Sequence, residues 1–344
     1  MKRGLVFLFL LMLVAGFSTG CRNQEGGRAA EGATIVVFIP GVVAGSSIYE
    51  MLVEGALRAV EDYTASNPQN APSLTIIEGG FNQAEWGNQI TTLAASGNFD
   101  LIVSSNPSLP EIVSPISASF PNQKFLLLDA EYAGNPNVFT LLYNQREKAF
   151  MAGHIAALVS REMSTEGPKR IGLLAGQEFP IMNYEILPGL AEGARLVDPD
   201  FTVDFRVLGN WFDAARAGEL AAAMIRGGAN VIVPNAGGAN QGVIQAAFEA
   251  GVKVVLFDYN SYAVRPGTVV GNSILRQDRA AYEKLMLYLE GNLPFGTALV
   301  VGTADGFVDF IEHDPLYISS VSQAARARQA ELTARMRAGT FRLD

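Results

Sequence analysis

The sequence predicts an α/β protein made of two similar parallel-sheet lobes with a ligand cleft between them. Three observations carry this. Short apolar runs bounded by Gly, Pro or Asn alternate with segments of helical period, the pattern of buried parallel strands covered by helices. The first half of the chain is echoed in the second at an offset of about 130 residues, close to one domain length. The apolar share is 49% over 344 residues, enough for about two well-buried domains.

Before the first strand, Lys2 and Arg3 precede an apolar run from Leu5 to Phe17, and the small residues Ser18, Thr19 and Gly20 lead to Cys21. That order predicts a secretory signal peptide over residues 1–20, because the run is shorter than the roughly 20 residues a membrane-spanning helix needs. Gly20-Cys21 fits a lipoprotein processing site, although Ser18 stands where such sites favour Leu. The expectation is acylation of Cys21 and a lipid-anchored protein on the extracytoplasmic, periplasmic face of the cell membrane. Cys21 is the only cysteine, so the folded part has none for a disulfide. Residues 21–33, rich in Gly, Arg, Glu and Asn, cannot bury a core and predict a flexible tether.

The strands follow in order. Thr34–Ile39 stops at Pro40-Gly41, Leu74–Glu78 at Gly79-Gly80, and Asp100–Ser104 just before Asn106. Lys124–Leu128 follows Pro121-Asn122, Arg170–Leu174 lies between Pro168 and Gly176, and Phe201–Val207 runs from Pro199 to Gly209. Val231–Val233 ends at Pro234-Asn235, and Val252–Phe257 follows Gly251. The helix after the first strand opens at Ser47-Ile-Tyr-Glu50, a capping-box spacing in which Glu50 would reach back to the cap. Asn82-Gln-Ala-Glu85 repeats that spacing, flanked by Phe81, read as a hydrophobic staple, and by Trp86. Beyond about Leu289, Ala298–Gly302 and Gly306–Phe310 read as short strands, and Ser319–Gly339 as one amphipathic helix whose Arg and Glu make a solvated face.

The duplication pairs Ile35-Val-Val-Phe-Ile-Pro-Gly41 with Ile171-Gly-Leu-Leu-Ala-Gly176, Gly97-to-Asn106 with Gly228-to-Asn235, and Phe125-Leu-Leu-Leu-Asp129 with Val254-Val-Leu-Phe-Asp258. Ligands of open α/β sheets sit beyond the carboxyl ends of the strands. The loops at Gly41, Asn106, Gly176, Asn235 and Asp258 should therefore face one cleft, and a ligand held from both sides would favour hinge closure.

Other chemistries find little support. The net charge of −9, without a long Lys/Arg cluster, argues against nucleic acid as the main ligand. Of the two histidines, His154 sits in an apolar helical pattern and reads as packed, while His313 lies in a polar turn. Neither has zinc-site spacing, so no metal and no cofactor is expected. Gly41-Val-Val-Ala-Gly-Ser-Ser47 lacks the Lys of a phosphate-binding P-loop and the glycine spacing of a dinucleotide site.

Glu147-Lys-Ala-Phe-Met-Ala-Gly-His-Ile-Ala-Ala157, Gly209-Asn-Trp-Phe-Asp213, Ala236-Gly-Gly-Ala-Asn-Gln-Gly242 and Phe257-Asp258 carry a resemblance to the basic membrane protein family of lipoproteins, which includes the purine nucleoside receptor. It covers about Ile35 to Leu289 and implies the type I periplasmic-binding-protein fold, two doubly wound lobes joined by crossovers. Lobe 1 is expected over 34–140 plus about 266–300 and lobe 2 over 141–262, with 300–344 assigned to neither. The implied function is solute capture for an ABC importer, with permease subunits as partners and no catalysis. An enzymatic reading, such as nucleoside hydrolysis, lacks the acidic cluster a metal would need.

In nucleoside-binding relatives two aromatic rings hold the base, while an acid and a basic residue hold the sugar. Tyr49 and Trp211 stand where the rings would be, Asp258 matches the acid, and Arg276 lies near the family's lysine. Gly237 would let backbone approach the ligand, and Asn106, Asn144 and Phe179 are further candidate contacts. Each has a second reading: Tyr49 as helix packing, Trp211 as a staple for the helix that Asp213 starts, Asp258 as a turn residue, Asn106 and Asn144 as local caps, and Arg276 as half of a surface ion pair. The first loop, Ile39-Pro-Gly-Val-Val-Ala-Gly45, lacks the acidic and amide groups that read a purine edge. It suits a larger, less polar ring, so riboflavin is the expected ligand, with a purine nucleoside as the alternative. A surface adhesin or receptor is the lesser alternative, less suited to convergent polar groups around an aromatic slot.

Overall fold

The computed structural model describes residues 32–343. The expected signal peptide, Cys21 as the expected acylation site and nearly all of the expected tether therefore lie outside the described residues. No helix among those described is long and apolar enough to cross a membrane.

In chain order the first half comprises β1 (Thr34–Ile39), α1 (Ser47–Ser66), β2 (Ser73–Glu78), α2 (Gln83–Ser96), β3 (Leu101–Ser105), α3 (Leu109–Ser119), β4 (Lys124–Leu128), β5 (Val138–Tyr143) and α4 (Gln145–Met163). The second half repeats the plan with β6 (Arg170–Ala175), α5 (Leu187–Val197), β7 (Thr202–Val207), α6 (Ala214–Arg226), β8 (Val231–Asn235), α7 (Asn240–Ala250), β9 (Lys253–Asp258) and β10 (Val269–Leu275). The chain closes with α8 (Gln277–Leu289), β11 (Ala298–Val301), β12 (Val308–Phe310), α9 (Pro315–Ser320) and α10 (Gln323–Arg337). Two six-stranded sheets result, ordered β11-β5-β4-β3-β1-β2 and β12-β10-β9-β8-β6-β7. Every pairing is parallel except that of β12 with β10.

Successive strand residues point to opposite faces, so β1 feeds two cores. Val36 and Phe38 pack with Trp86, Ile90 and Val113 from α2 and α3. Ile35, Val37 and Ile39 join Leu52, Ala56 and Leu285 from α1 and α8. In the second sheet Leu174 and Ile232 meet Ala217, Ala221 and Val243 of α6 and α7. Burial on both faces explains why these strands read as continuous apolar runs.

The chain passes between the sheets three times: from β5 through α4 to β6, from β10 through α8 to β11, and from β11 directly to β12. The passages are laced together. The Asn144 amide donates to Val301 O at 2.8 Å and the Arg276 amide to Phe307 O at 2.8 Å. The Tyr143 hydroxyl donates to Gln277 Oε1 at 2.6 Å, and the Thr303 amide to Glu147 Oε2 at 2.7 Å.

Several expectations change. β5 and β10 were not anticipated, and β10 belongs to the second sheet although 266–300 was expected in lobe 1. Of the short final strands, β11 completes the first sheet and β12 the second. The single helix expected over 319–339 is two, broken at Val321-Ser322, where the Ser322 hydroxyl caps α10. α10 is not merely a solvated face: Ala325, Gln329, Leu332 and Met336 are buried. His154 is packed as expected, its Nδ1 lying 2.7 Å from Gln329 Oε1. The box at Ser47 does not form, because Ser46 takes the cap position without a side-chain bond and Glu50 accepts from the Gly45 amide at 3.0 Å. Asn82 does cap α2, but Glu85 binds its side-chain amide instead of its backbone. Phe81 is 76% exposed and staples nothing, whereas Trp86 is buried and donates from Nε1 to Gly80 O at 2.9 Å.

Candidate functional site

Of the duplicated strands, β9 ends in Asp258 and β4 is followed at once by Asp129. Asp129 has φ +50° and Asp258 φ +78°, and they are the two non-glycine residues with positive φ among those described. An L residue gives up about 1 kcal/mol or more in this conformation, although Asp tolerates it better than most. Such outliers cluster at functional sites. The two carboxylates come from different sheets, yet lie close enough for the charge of Asp258 to act on Asp129. The carboxyl ends of the two sheets therefore face each other, as the duplication implied.

Between them stands Lys148, in the first turns of α4. Its side chain is 3% exposed, and its Nζ donates to Asp258 Oδ1 at 2.7 Å. The ammonium also lies 4.6 Å from the centroid of the Phe257 ring. A buried ammonium requires such a partner, since leaving water uncompensated costs several kcal/mol. Asp129 accepts from Gln145 Nε2 at 2.9 Å. Burial pushes its carboxyl above the usual range, the Lys148 charge and the Gln145 bond pull it down, and Asp258 raises it again.

Tyr49 and Asn106 form a second group at the first sheet. The Tyr49 hydroxyl donates to Pro40 O at 2.9 Å and receives Asn106 Nδ2 at 3.4 Å. Burial pushes its pKa up to about 12, against the Asn106 bond and helped by the Asp129 charge. Asn106 Oδ1 meanwhile accepts from the Ser108 amide at 2.9 Å, so the capping reading holds for that atom while Nδ2 faces Tyr49.

Beyond the second sheet is an aromatic wall. Trp211, 37% exposed, lies with its ring centroid 6.2 Å from that of Phe179. Gly176 makes this possible, because a Cβ there would stand 2.5 Å from the Trp211 ring. At Gly237, with φ +57°, a Cβ would come within 3.1 Å of Trp211 O. Trp211 O also accepts from the Ala239 amide at 3.2 Å, binding three strand-end loops into one surface. Asp213 caps α6 through the Arg216 amide at 2.9 Å. Phe212, Tyr184 and Phe81, in the segments that follow β7, β6 and β2, are exposed by 71%, 73% and 76%. A flat ligand would gain dispersion and apolar burial on such a wall.

Two candidates are engaged in the way their second readings describe. Asn144 spends its side-chain oxygen capping α4, accepting from the Glu147 amide at 3.0 Å. Arg276 pairs with Asp278, Nε to Oδ1 at 3.2 Å, with nearly half its side chain exposed. The cation bonded to Asp258 is thus Lys148 and not Arg276: Lys148 rides the enclosed helix α4, while Arg276, just past the carboxyl end of β10, is engaged with Asp278. Sequence reasoning missed Lys148 and Asp129, although the match of Phe125-to-Asp129 with Val254-to-Asp258 pointed to the latter.

The profile of the family described as "ABC transporter substrate-binding protein PnrA-like" matches residues 33–339. Basic membrane protein D of Borreliella burgdorferi (strain JD1) is 22% identical over 317 residues, 90% of this chain and 87% of that protein. The ABC transporter nucleoside-binding protein BmpA of Lactococcus lactis subsp. cremoris is 27% identical over 154 residues, 45% of this chain and less than half, 42%, of that protein. Among solved structures, an ABC transporter solute-binding protein from Aeropyrum pernix K1 superposes with a TM-score of 0.78 at 20% identity, covering 91% of this chain and 93% of its own. A Bacillus halodurans protein titled a transcriptional activator of the comK gene reaches 0.68 at 19% identity, covering 88% and 97%, so the fold serves more than one task. With a matching profile that runs from β1 to the end of α10, this chain belongs to the PnrA-like family of ABC transporter substrate-binding proteins.

Proposed function

We propose that this protein captures a neutral ligand that joins a flat heterocycle to neighbouring hydroxyls, a nucleoside first of all, and delivers it to the permease of an ABC importer from a lipid anchor at Cys21 on the extracytoplasmic face. The observation that carries the reading is the pairing, over facing strand ends, of a charged trio with an aromatic wall. Asp129, Asp258 and Lys148 supply acceptors and donors for hydroxyls, and Trp211 with Phe179 supplies a stacking face. The lactococcal relative's description as nucleoside-binding supports the same class. Riboflavin, the ligand expected from the first loop, is the second reading. It is favoured by the absence of acidic or amide side chains over Pro40–Ala44 and by the exposed rings of Phe81, Tyr184 and Phe212 in segments that follow strands.

Calorimetric titration with inosine and with riboflavin decides between them. Saturable inosine binding that Trp211→Ala weakens at least about tenfold supports the nucleoside, since base stacking on one aromatic ring is worth about 1–3 kcal/mol. Binding of riboflavin alone would replace the nucleoside with the flavin, and binding of neither would end both readings. Cys21→Ser tests the anchor and should move the protein from the membrane to the soluble fraction.

A further inference from the structure

The loop that follows β1 has no side chain of its own to hold it. Residues 40–45 are all apolar or glycine, and Gly41 and Gly45 both take positive φ. Such a segment is costly to keep in one shape, because glycine loses more backbone freedom on ordering than any other residue. It is held from outside. Glu78, the last residue of β2, accepts from the Val43 amide through Oε1 at 2.7 Å, and Glu50 of α1 accepts from the Gly45 amide at 3.0 Å. The Gly80 amide donates to Gly41 O at 2.9 Å. The loop in turn rests on the ligand end of the first sheet. Tyr49 lies so close to Gly41 that a Cβ there would stand 3.0 Å from Tyr49 Cε2, and the Tyr49 hydroxyl donates to Pro40 O at 2.9 Å.

The second lobe supplies an internal control. β7 pairs with β6 as β2 pairs with β1, and Val207 stands opposite Ala175 as Glu78 stands opposite Ile39. The backbone that follows repeats as well. The Gly79 and Gly80 amides donate to Ile39 O and Gly41 O, and the Leu208 and Gly209 amides to Ala175 O and Gly176 O. What differs is the side chain at the strand end. A carboxylate makes one of the stronger bonds to a backbone amide, whereas valine has no acceptor to offer. The loop at 177–181, which carries Phe179, therefore lacks the tie that Glu78 gives the loop at 40–46.

We propose that Glu78 is a positioning residue that holds the first loop in one shape before any ligand arrives, so that the first lobe offers a fixed wall and the loop at 177–181 is the side that adapts. A wall ordered beforehand spares the ligand the entropy of ordering it, which raises affinity without adding a contact. The mechanism rests on the strand ends as the ligand site, as proposed above, and holds for either ring.

The experiment compares the full chain in detergent with Glu78→Ala and Glu78→Gln. It measures amide hydrogen exchange by mass spectrometry, thermal unfolding, and calorimetric binding of inosine and of riboflavin. In the free protein, segment 41–46 should exchange at least about tenfold faster in Glu78→Ala. Glu78→Gln keeps an acceptor oxygen and should stay near wild type. Glu78 is exposed, so the melting midpoint should move by less than about 2 °C in either variant. Whichever compound binds wild type should bind Glu78→Ala about three- to tenfold more weakly, the scale of one net hydrogen bond, and Glu78→Gln within about twofold. That compound should slow exchange at 177–181 in wild type, and at 41–46 as well in Glu78→Ala.

Unchanged exchange at 41–46 in Glu78→Ala overturns the tie, and faster exchange with unchanged affinity overturns the positioning role. An affinity loss that Glu78→Gln shares in full overturns it too, since the acceptor is still present. Protection by ligand at 41–46 and not at 177–181 in wild type reverses the fixed and adapting walls. Should neither compound bind wild type, both ligand readings fall, and exchange in the free protein decides by itself whether Glu78 preforms the loop.

Discussion

Replacing Asp258 by Asn isolates the charge at the centre of the site. The two side chains have nearly the same shape, and Asn, like Asp, tolerates the φ of +78° that position 258 adopts. What changes is that the Lys148 ammonium, 3% exposed and 2.7 Å from Asp258 Oδ1, loses its ionic partner. Stripping one member from a fully buried pair costs about 3–5 kcal/mol. Here water reaches the partly exposed Asp258, the Asn oxygen still accepts a bond, and Asp129 offers a second negative charge, so about 2–3 kcal/mol is the better figure. At about 2–4 °C per kcal/mol for domains of roughly this size, the midpoint should fall by about 5–10 °C. Calorimetry measures this, and if the lobes melt separately the transition of the second sheet should move, since β9 lies there. The double variant with Lys148→Met carries no unpaired ammonium and should be more stable than Asp258→Asn alone. A shift of under about 1 °C, or a double variant no better than the single one, would refute an uncompensated charge as the cause.

Three further outcomes follow from the same structure. Gly176→Ala places a Cβ 2.5 Å from the Trp211 ring and should displace it into water. In a Trp86→Phe background its fluorescence should shift to the red, while stability changes by about 1 kcal/mol or less because the ring is already part-exposed. Gly153→Ala sets a Cβ 2.0 Å from Leu190 O where α4 meets α5, and should cost about 1–3 kcal/mol in urea unfolding, as overpacked cores do. His154 is held below its ordinary value of 6.5, by burial first, with the Gln329 bond opposing. A depressed histidine lends stability above its unfolded pKa and loses it as the pH falls through the folded one. The stability advantage of wild type over His154→Gln should therefore shrink between about pH 7 and 5, which denaturation at several pH values would show.

Most of the fold was legible because buried parallel strands advertise themselves. β1, β4, β6 and β9 are apolar on both faces and stop at Gly, Asn or Asp, so their runs and ends stand out. β10 escaped notice because Gly271, Asn272 and Ser273 break its apolar run. Those residues are nonetheless buried, Gly271 under Ile155, Asn272 against the Ser261 amide and Ser273 against Lys148 O. Gly271 and Ser273 answer to α4, a partner more than 100 residues away that no local pattern reveals, and Asn272 to the turn at Ser261. Phe81 misled in the opposite sense: its spacing suits a staple, but its ring lies in water.

By itself, the sequence determined the α/β class, the two lobes and the strand ends on which a ligand would sit, because periodicity and duplication are properties of the chain read along its length. It also marked Trp211 and Asp258. Only the tertiary structure decided which cation meets Asp258. The candidate cation read from the sequence was Arg276, which lies near the family's lysine. Yet α4 is enclosed where the chain crosses between sheets, so Lys148 is buried against the acid while Arg276 turns to Asp278. Burial arises from elements distant in sequence, and for a charged side chain burial dictates which partner it must find.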